Sequence, residues 1–203
     1  MKTAAAIVIV LALAGLFGKD KKKHQPPPIQ TRPPVFTKFD CGEPGTVPFN
    51  ETSKQRILKF GMGHKTAAIP DDTMEQVAHY TVVYAASYCI EPELAAALIA
   101  RESRFNPNAV SPNGAKGLGQ LIDSTARNMG VSNPFDIQQN LRGSLGYFKL
   151  MMDKWQGRSD QIDLALASYL IGPGNVERCS CVPDSSRIYI NDIYAYRQKM
   201  LGM

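Results

Sequence analysis

The chain holds one tryptophan, three histidines and four cysteines in 203 residues. It has no apolar run as long as a membrane-spanning helix, which needs about 20 residues. Each scarcity excludes something. His24, His64 and His79 share no ligand spacing. Cys179-Ser180-Cys181 has neither a matching second pair nor a nearby histidine, so it is not a zinc ribbon. No EF-hand loop or phosphate-cradling glycine motif occurs, and no metal or cofactor is expected. Internal repeats and alternating strand patterns are absent as well. The lone Trp155 falls on a long helical pattern and is expected in the core.

What is present starts with a leader. Met1-Lys2 opens an apolar stretch from about Thr3 to Phe17, closed by "KDKKK". A basic start, a short apolar centre and small residues at its end make a secretory signal, with Ala12-Leu13-Ala14 as an A-x-A cleavage site. The alternative is an uncleaved anchor, for which the run is short. Residues 1–18 are therefore expected to be a signal peptide or N-terminal anchor. The rest is expected to be periplasmic or otherwise exported, touching membrane only through that segment if it stays uncleaved. No cysteine follows the apolar run directly, so there is no lipoprotein box.

Charge follows the same division. The whole chain has 23 basic and 18 acidic residues, net +5. Residues 1–23 contain five lysines and one aspartate, which leaves 18 against 17. The basic character belongs to the export flank, and no nucleic-acid partner is expected, since that needs a basic stripe on the domain itself.

Residues 19–50 read as a Lys/Pro-rich linker. The stretch from His24 to Asn50 carries seven prolines and no sustained apolar period, a composition that favours extended conformations and buries no core. It is either a spacer or an inert leader. Residues 51–203 have the length of one domain. Helical periods run through "DDTMEQVAHYTVVYAASY", "PELAAALIARESRF", "DSTARNM", "DIQQNLRGSLGYFKLMMDKW", "DQIDLALASYLI" and "SRIYINDIYAYRQKM". Pro92 sits in a first turn, where its missing N–H costs nothing. Gly172-Pro173-Gly174 ends a helix. A single all-α domain with short connections is expected; "GMGHKTAAIP" has no assignment.

Four cysteines in an exported chain suggest disulfides. Closing Cys179 on Cys181 makes a very tight ring, so Cys41 and Cys89 are expected to pair with the 179/181 turn, in undecided order. Free thiols are the alternative.

One helix contains an anomaly. Leu94, Leu98 and Glu102 recur at intervals of four, and such positions share a helix face. Glu102 therefore stands where a third apolar residue would be. A desolvated carboxyl has a raised pKa and can protonate a leaving oxygen, as a general acid does in glycosidic cleavage. The plainer alternative is a solvated Glu102, or one ion-paired to Arg101 or Arg104.

"RESRFNPNAVSPNGAKGLGQL", then "STA", "ALASYLIGPGNV" and a tyrosine-containing last helix resemble the soluble lytic transglycosylase family, relatives of goose-type lysozyme. The resemblance covers roughly residues 72–197. It implies a lysozyme-like helical fold acting on peptidoglycan glycan strands. The bond cleaved is the MurNAc–GlcNAc bond, with the muramic acid 6-hydroxyl as nucleophile and a 1,6-anhydro end as product. Glu102 matches the single catalytic acid/base. The candidate substrate-side residues are Ser103, Ser111, Gln120, Tyr169 and Tyr189. Ser103 follows the acid and is expected to brace the helix end. Ser111 and Gln120 match positions that contact the sugar or its N-acetyl group. Tyr169 and Tyr189 match aromatics near the glutamate; either could orient Glu102 or simply pack. Asp123 and Asp136, the nearest other acids in the motifs, are expected to cap helices.

The sequence also departs from the family. Gly119 replaces a frequent Met before the Gln, and Ile122-Asp123 replaces Met-Pro. Leu170 replaces the Asn after the motif Tyr, and Cys89 stands where a Gly tends to close the preceding helix. Three readings follow: a lytic transglycosylase, serving local wall opening for a secretion or conjugation apparatus in one version; a hydrolytic lysozyme; and a non-catalytic glycan-binding assembly protein on the same fold.

Overall fold

The structure is a computed structural model that describes residues 49–66 and 68–202. The expected signal segment, most of the linker, His24 and Cys41 lie outside the described residues. Among these residues eight α-helices occur and no strand forms; the β-pairing is limited to two isolated bridges, Val110 with Lys116 and Lys116 with Leu121.

Helix α3 (Pro92–Ser103) is the hub. Every residue from Leu94 to Ala100 is buried, which is the pattern of a helix enclosed by others rather than laid on a surface. Pro92 opens it at the first turn, and Arg104 closes it in the left-handed conformation, φ 54°. Around it pack α1 (Glu51–His64), α2 (Asp71–Ser87) and α8 (Arg187–Leu201). The buried positions of α2 include 74, 77, 78, 81 and 85, the stripe legible in its sequence. Helices α5 (Ile137–Lys154) and α6 (Gln161–Ile171) pack together, with Trp155 at the end of α5 buried and its indole N–H donating to Ser168 Oγ at 2.9 Å. Helix α4 (Asp123–Asn128) is short. Helix α6 stops at Ile171; Gly172, at φ 82°, turns the chain, and Pro173 starts α7 (Pro173–Cys179). A 3₁₀ turn, Asp184–Ser186, leads into α8.

Helix α1 has no counterpart in the sequence reading, for a physical reason. Its buried positions are Ser53, Ile57 and Gly61, which is a helical stripe with one apolar side chain. At Gly61 the helix lies close to Met74, whose Cε is 2.4 Å from where a Cβ would be, so a larger residue would make the Met74 side chain shift. Ser53 Oγ donates to Glu93 Oε1 at 2.8 Å, and Arg56 reaches the same oxygen at 3.2 Å. That holds α1 on the first turn of α3 by polar contacts that no hydrophobic period announces.

The cysteines differ from expectation. Cys179 and Cys181 are bonded to each other, with Cα atoms 5.1 Å apart. Cys89 is also disulfide-bonded, and Cys41 is not among the described residues. The pairing of Cys41 and Cys89 with the 179/181 turn is thus overturned. The small ring is no obstacle. Ser180, at φ 49°, ends α7 with a left-handed turn, and the resulting Cα separation lies inside the range of ordinary disulfides.

Candidate active site

Helices α3 and α8 are joined at three levels. Arg197 makes a two-pronged contact with Glu91 at the start of α3, with Nε–Oε1 at 2.8 Å and Nη2–Oε2 at 2.9 Å. At the other end, Arg101 Nε meets Asp192 Oδ2 at 2.9 Å, and the Tyr189 hydroxyl donates to Glu102 Oε1. The pairs run in opposite sequence order, so the two helices are antiparallel. The last turn of α3 therefore faces the first turn of α8.

Glu102 is partly buried there, and neither Arg101 nor Arg104 forms an ion pair with it. Burial pushes its carboxyl up from 4.5 to about 7, against the downward pull of the Tyr189 hydroxyl and the Arg101 charge. Desolvation outweighs both because one neutral donor and one diverted cation do not replace a hydration shell. The Tyr189 ring is buried, and its hydroxyl is held well above the usual phenol range by burial and by the adjacent carboxyl. It stays a donor at any working pH. Arg101 lies over the same ring, its Cζ 5.3 Å from the centroid.

The segment from Asn106 to Ile122, which follows α3, forms a folded loop. Lys116 and Leu121 exchange backbone hydrogen bonds at 2.9 and 3.0 Å, and Gly117 N–H donates to Ala109 O at 2.8 Å. Ser111 Oγ accepts from Ala115 N–H at 3.0 Å. Gln120 takes φ 50°, and its Nε2 donates to Gly117 O at 2.9 Å and Ala109 O at 3.3 Å. Ser111 and Gln120 thus shape the loop on which they sit. Ser103, buried, donates from Oγ to Ile99 O at 3.2 Å, within its own helix.

The two tyrosines divide. Tyr189 reaches Glu102, whereas the Tyr169 hydroxyl donates to Gly119 O at 2.6 Å and its ring packs on Tyr147 and Phe148. Tyr169 remains close enough for the Glu102 charge to help burial raise its own pKa. Gly119 is explained by the same contact: a Cβ there would lie 2.2 Å from Ser144 Cβ and 3.0 Å from the Tyr169 hydroxyl. A Met could not occupy this position without displacing α5 or α6. Leu170 is partly buried against the core.

Sequence reasoning missed Asn140. Buried on α5, it accepts from Gly119 N–H at 2.7 Å and donates to Pro134 O at 2.7 Å and Lys116 O at 3.1 Å. One amide satisfies three backbone groups of the loop and its neighbour. The only signal was a polar residue beside Leu141 in an otherwise apolar stripe.

The other acids of the motifs are engaged elsewhere. Asp136 caps α5, accepting from Gln139 N–H at 2.8 Å, as expected. Asp123 begins α4 without a capping hydrogen bond; it is exposed and meets Lys116 Nζ at 2.7 Å, which holds it below the usual carboxylate range. Asp123, exposed and paired with Lys116, does not resemble a group kept protonated for acid work.

A transglycosylase SLT domain model matches residues 79–184. The membrane-bound lytic murein transglycosylase F of Vibrio cholerae serotype O1 is 43% identical over 86 residues, 41% of this chain and 16% of that protein. The protein of the same name from Marinobacter nauticus is 34% identical over 106 residues, covering 51% and 21%. Its namesake from Desulfosudis oleivorans is 40% identical over 87 residues, covering 41% and 19%. The chain spans roughly a fifth of the length of these curated relatives. The family match takes in α3 with Glu102, the loop, Asn140 and Tyr169, and ends at residue 184, before Tyr189 and α8. The chain belongs to the transglycosylase SLT domain family.

Proposed function

We propose that the chain is a peptidoglycan lytic transglycosylase in which Glu102 serves first as acid and then as base. The observation that carries this reading is the Glu102 carboxyl itself, desolvated, with a pKa of about 7 and a hydrogen bond from Tyr189. Such a group is protonated in a large fraction near neutrality and changes state readily, as acid–base work requires.

Because Tyr189 donates to Oε1, that oxygen takes the carbonyl role and the acidic proton sits on Oε2. Oε2 passes the proton to the glycosidic oxygen as the bond from C1 of MurNAc breaks. The carboxylate left behind keeps the Tyr189 hydrogen bond and accepts the proton of the MurNAc 6-hydroxyl while that oxygen bonds to C1. The products are a free GlcNAc hydroxyl and a 1,6-anhydro ring; no water is consumed, and Glu102 ends protonated. The names of the relatives and the family membership support the substrate class. The engagement of Asp123 and Asp136 elsewhere supports the anhydro product, since hydrolysis with inversion or retention calls on a second carboxylate.

The loop from Asn106 to Ile122, with Ser111 and Gln120, and the Tyr169 region are the surfaces on which the glycan would lie. The same reading includes residues 1–18 as signal peptide or anchor and 19–50 as tether, placing the domain on the wall side of a membrane. A small catalytic domain on a tether fits local wall opening for a secretion or conjugation apparatus. Mass spectrometry of digested peptidoglycan tests the chemistry. Anhydro-muramic ends are expected; reducing ends, heavier by one water, would move the chain to the hydrolytic lysozymes, and no cleavage at all would favour a non-catalytic glycan binder.

A further inference from the structure

Arg101 immediately precedes Glu102, and its charge is close enough to draw that carboxyl toward ionisation. A guanidinium free to pair with Glu102 would hold it as a carboxylate, which has no proton to give. The structure sends this guanidinium elsewhere. Its Nε lies 2.9 Å from Asp192 Oδ2, and its Cζ stands 5.3 Å from the Tyr189 ring centroid. Tyr189 and Asp192 are three apart on α8 and so share one face. The helix that gives Glu102 its hydrogen-bond donor also gives Arg101, one turn on, a competing carboxylate. Among the described residues, no ion pair includes Glu102.

We propose that Asp192 is a positioning carboxylate that holds the Arg101 guanidinium against the Tyr189 ring and off the Glu102 carboxyl. The proposal rests on the reading of Glu102 as the general acid. Asp192 touches no reacting atom; it acts through Arg101. The other charged and titratable groups around α3 do not replace it. Tyr189 faces Glu102 from α8 and Tyr169 faces it from α6, both uncharged at working pH. The buried face of α2 carries only uncharged side chains. Arg56 of α1 is engaged with Glu93, and Arg197 of α8 with Glu91, both at the opposite end of α3. Arg104, beyond the helix end, lies toward His64 of α1.

The signs are opposite for the two partners. Arg101→Gln removes the cation and should raise the Glu102 pKa. Asp192→Asn releases the cation and should lower it. Asp192 is about two-fifths exposed, so solvent screens the pair and each shift should be roughly half a pH unit. The test is a carboxyl-¹³C titration of Glu102 in the full chain, the signal identified by its loss in Glu102→Gln. Wild type, both single variants and the double variant are compared. The proposal expects a downward shift in Asp192→Asn that becomes much smaller in the Arg101→Gln background. No downward shift, or an equal shift in both backgrounds, would overturn it, the latter because Asp192 would then act by its own charge. The alkaline limb of muropeptide release, measured on the same proteins, should follow the titration midpoint. A limb that does not follow it sinks the general-acid reading while leaving the Asp192 assignment standing.

Discussion

The Tyr189 hydroxyl and the Glu102 carboxyl, 87 positions apart in the chain, are joined by a hydrogen bond across the antiparallel contact of α3 and α8. That bond is the junction of fold and chemistry. The helix pairing that builds the core also aims a permanent donor at a carboxyl whose pKa burial raises.

Replacing Tyr189 by Phe removes the donor while keeping the ring. A hydrogen bond to a charged group is worth about 1.5–3 kcal/mol, so turnover should fall roughly ten- to a hundredfold. The hydroxyl also favours the ionised carboxyl, so its loss should move the alkaline limb of activity upward in pH. A pH–rate profile separates this from simple destabilisation, which would scale the rate without moving the limb.

Glu102→Gln should abolish muropeptide release while leaving a folded protein, because an amide neither donates nor accepts the proton. Activity near wild type would remove Glu102 from the mechanism.

The same variant should be more stable than wild type, by an amount that depends on pH. The folded carboxyl titrates at about 7 and the unfolded one near 4.5. Below 4.5 both states hold the proton and there is no penalty. As pH rises, the unfolded chain ionises first, so wild-type stability is lost progressively until the folded pKa is passed. The full loss is about 3 kcal/mol at an order-of-magnitude level. Denaturant unfolding at several pH values should show the advantage of Gln growing between pH 4.5 and 7; an advantage flat with pH would contradict the buried-acid reading.

Asn140→Ala should loosen the loop without dissolving the domain. It strands Gly119 N–H and the Pro134 carbonyl, and leaves the Lys116 carbonyl with the Leu121 N–H alone. Buried unpaired groups cost about 1–3 kcal/mol each, reduced where water enters. Hydrogen exchange should speed up at 109–121 far more than in α3. Gly119→Ala should produce a similar local effect, because its Cβ would overlap Ser144.

Cys89 holds φ 56° at the end of α2, a conformation natural to glycine and costly for other residues. Both Cys89→Gly and Cys89→Ala lose the disulfide, so their difference isolates the backbone. The Gly variant should be more stable than the Ala variant by about 1 kcal/mol. Thermal unfolding of the two side by side checks this.

The residues alone carried the six longer or better-marked helices, since apolar stripes and turn residues are local properties. They also marked Glu102 as out of place on a greasy face, and the linked motifs pointed to its chemistry. Helix α1 escaped because its buried stripe is Ser53–Ile57–Gly61, held by a glycine contact and by polar bonds to Glu93. Asn140 escaped because a buried amide is recognised only by the backbone groups it meets. The Cys179–Cys181 bond is not legible from ring size, because the left-handed turn at Ser180 is what brings the two cysteines together. Which tyrosine meets Glu102, and where Arg101 sends its charge, depended on the antiparallel register of α3 and α8. Sequence determines what each helix can bury; only packing determines which distant side chain meets which, because those contacts arise from the arrangement of whole helices and not from any spacing along one of them.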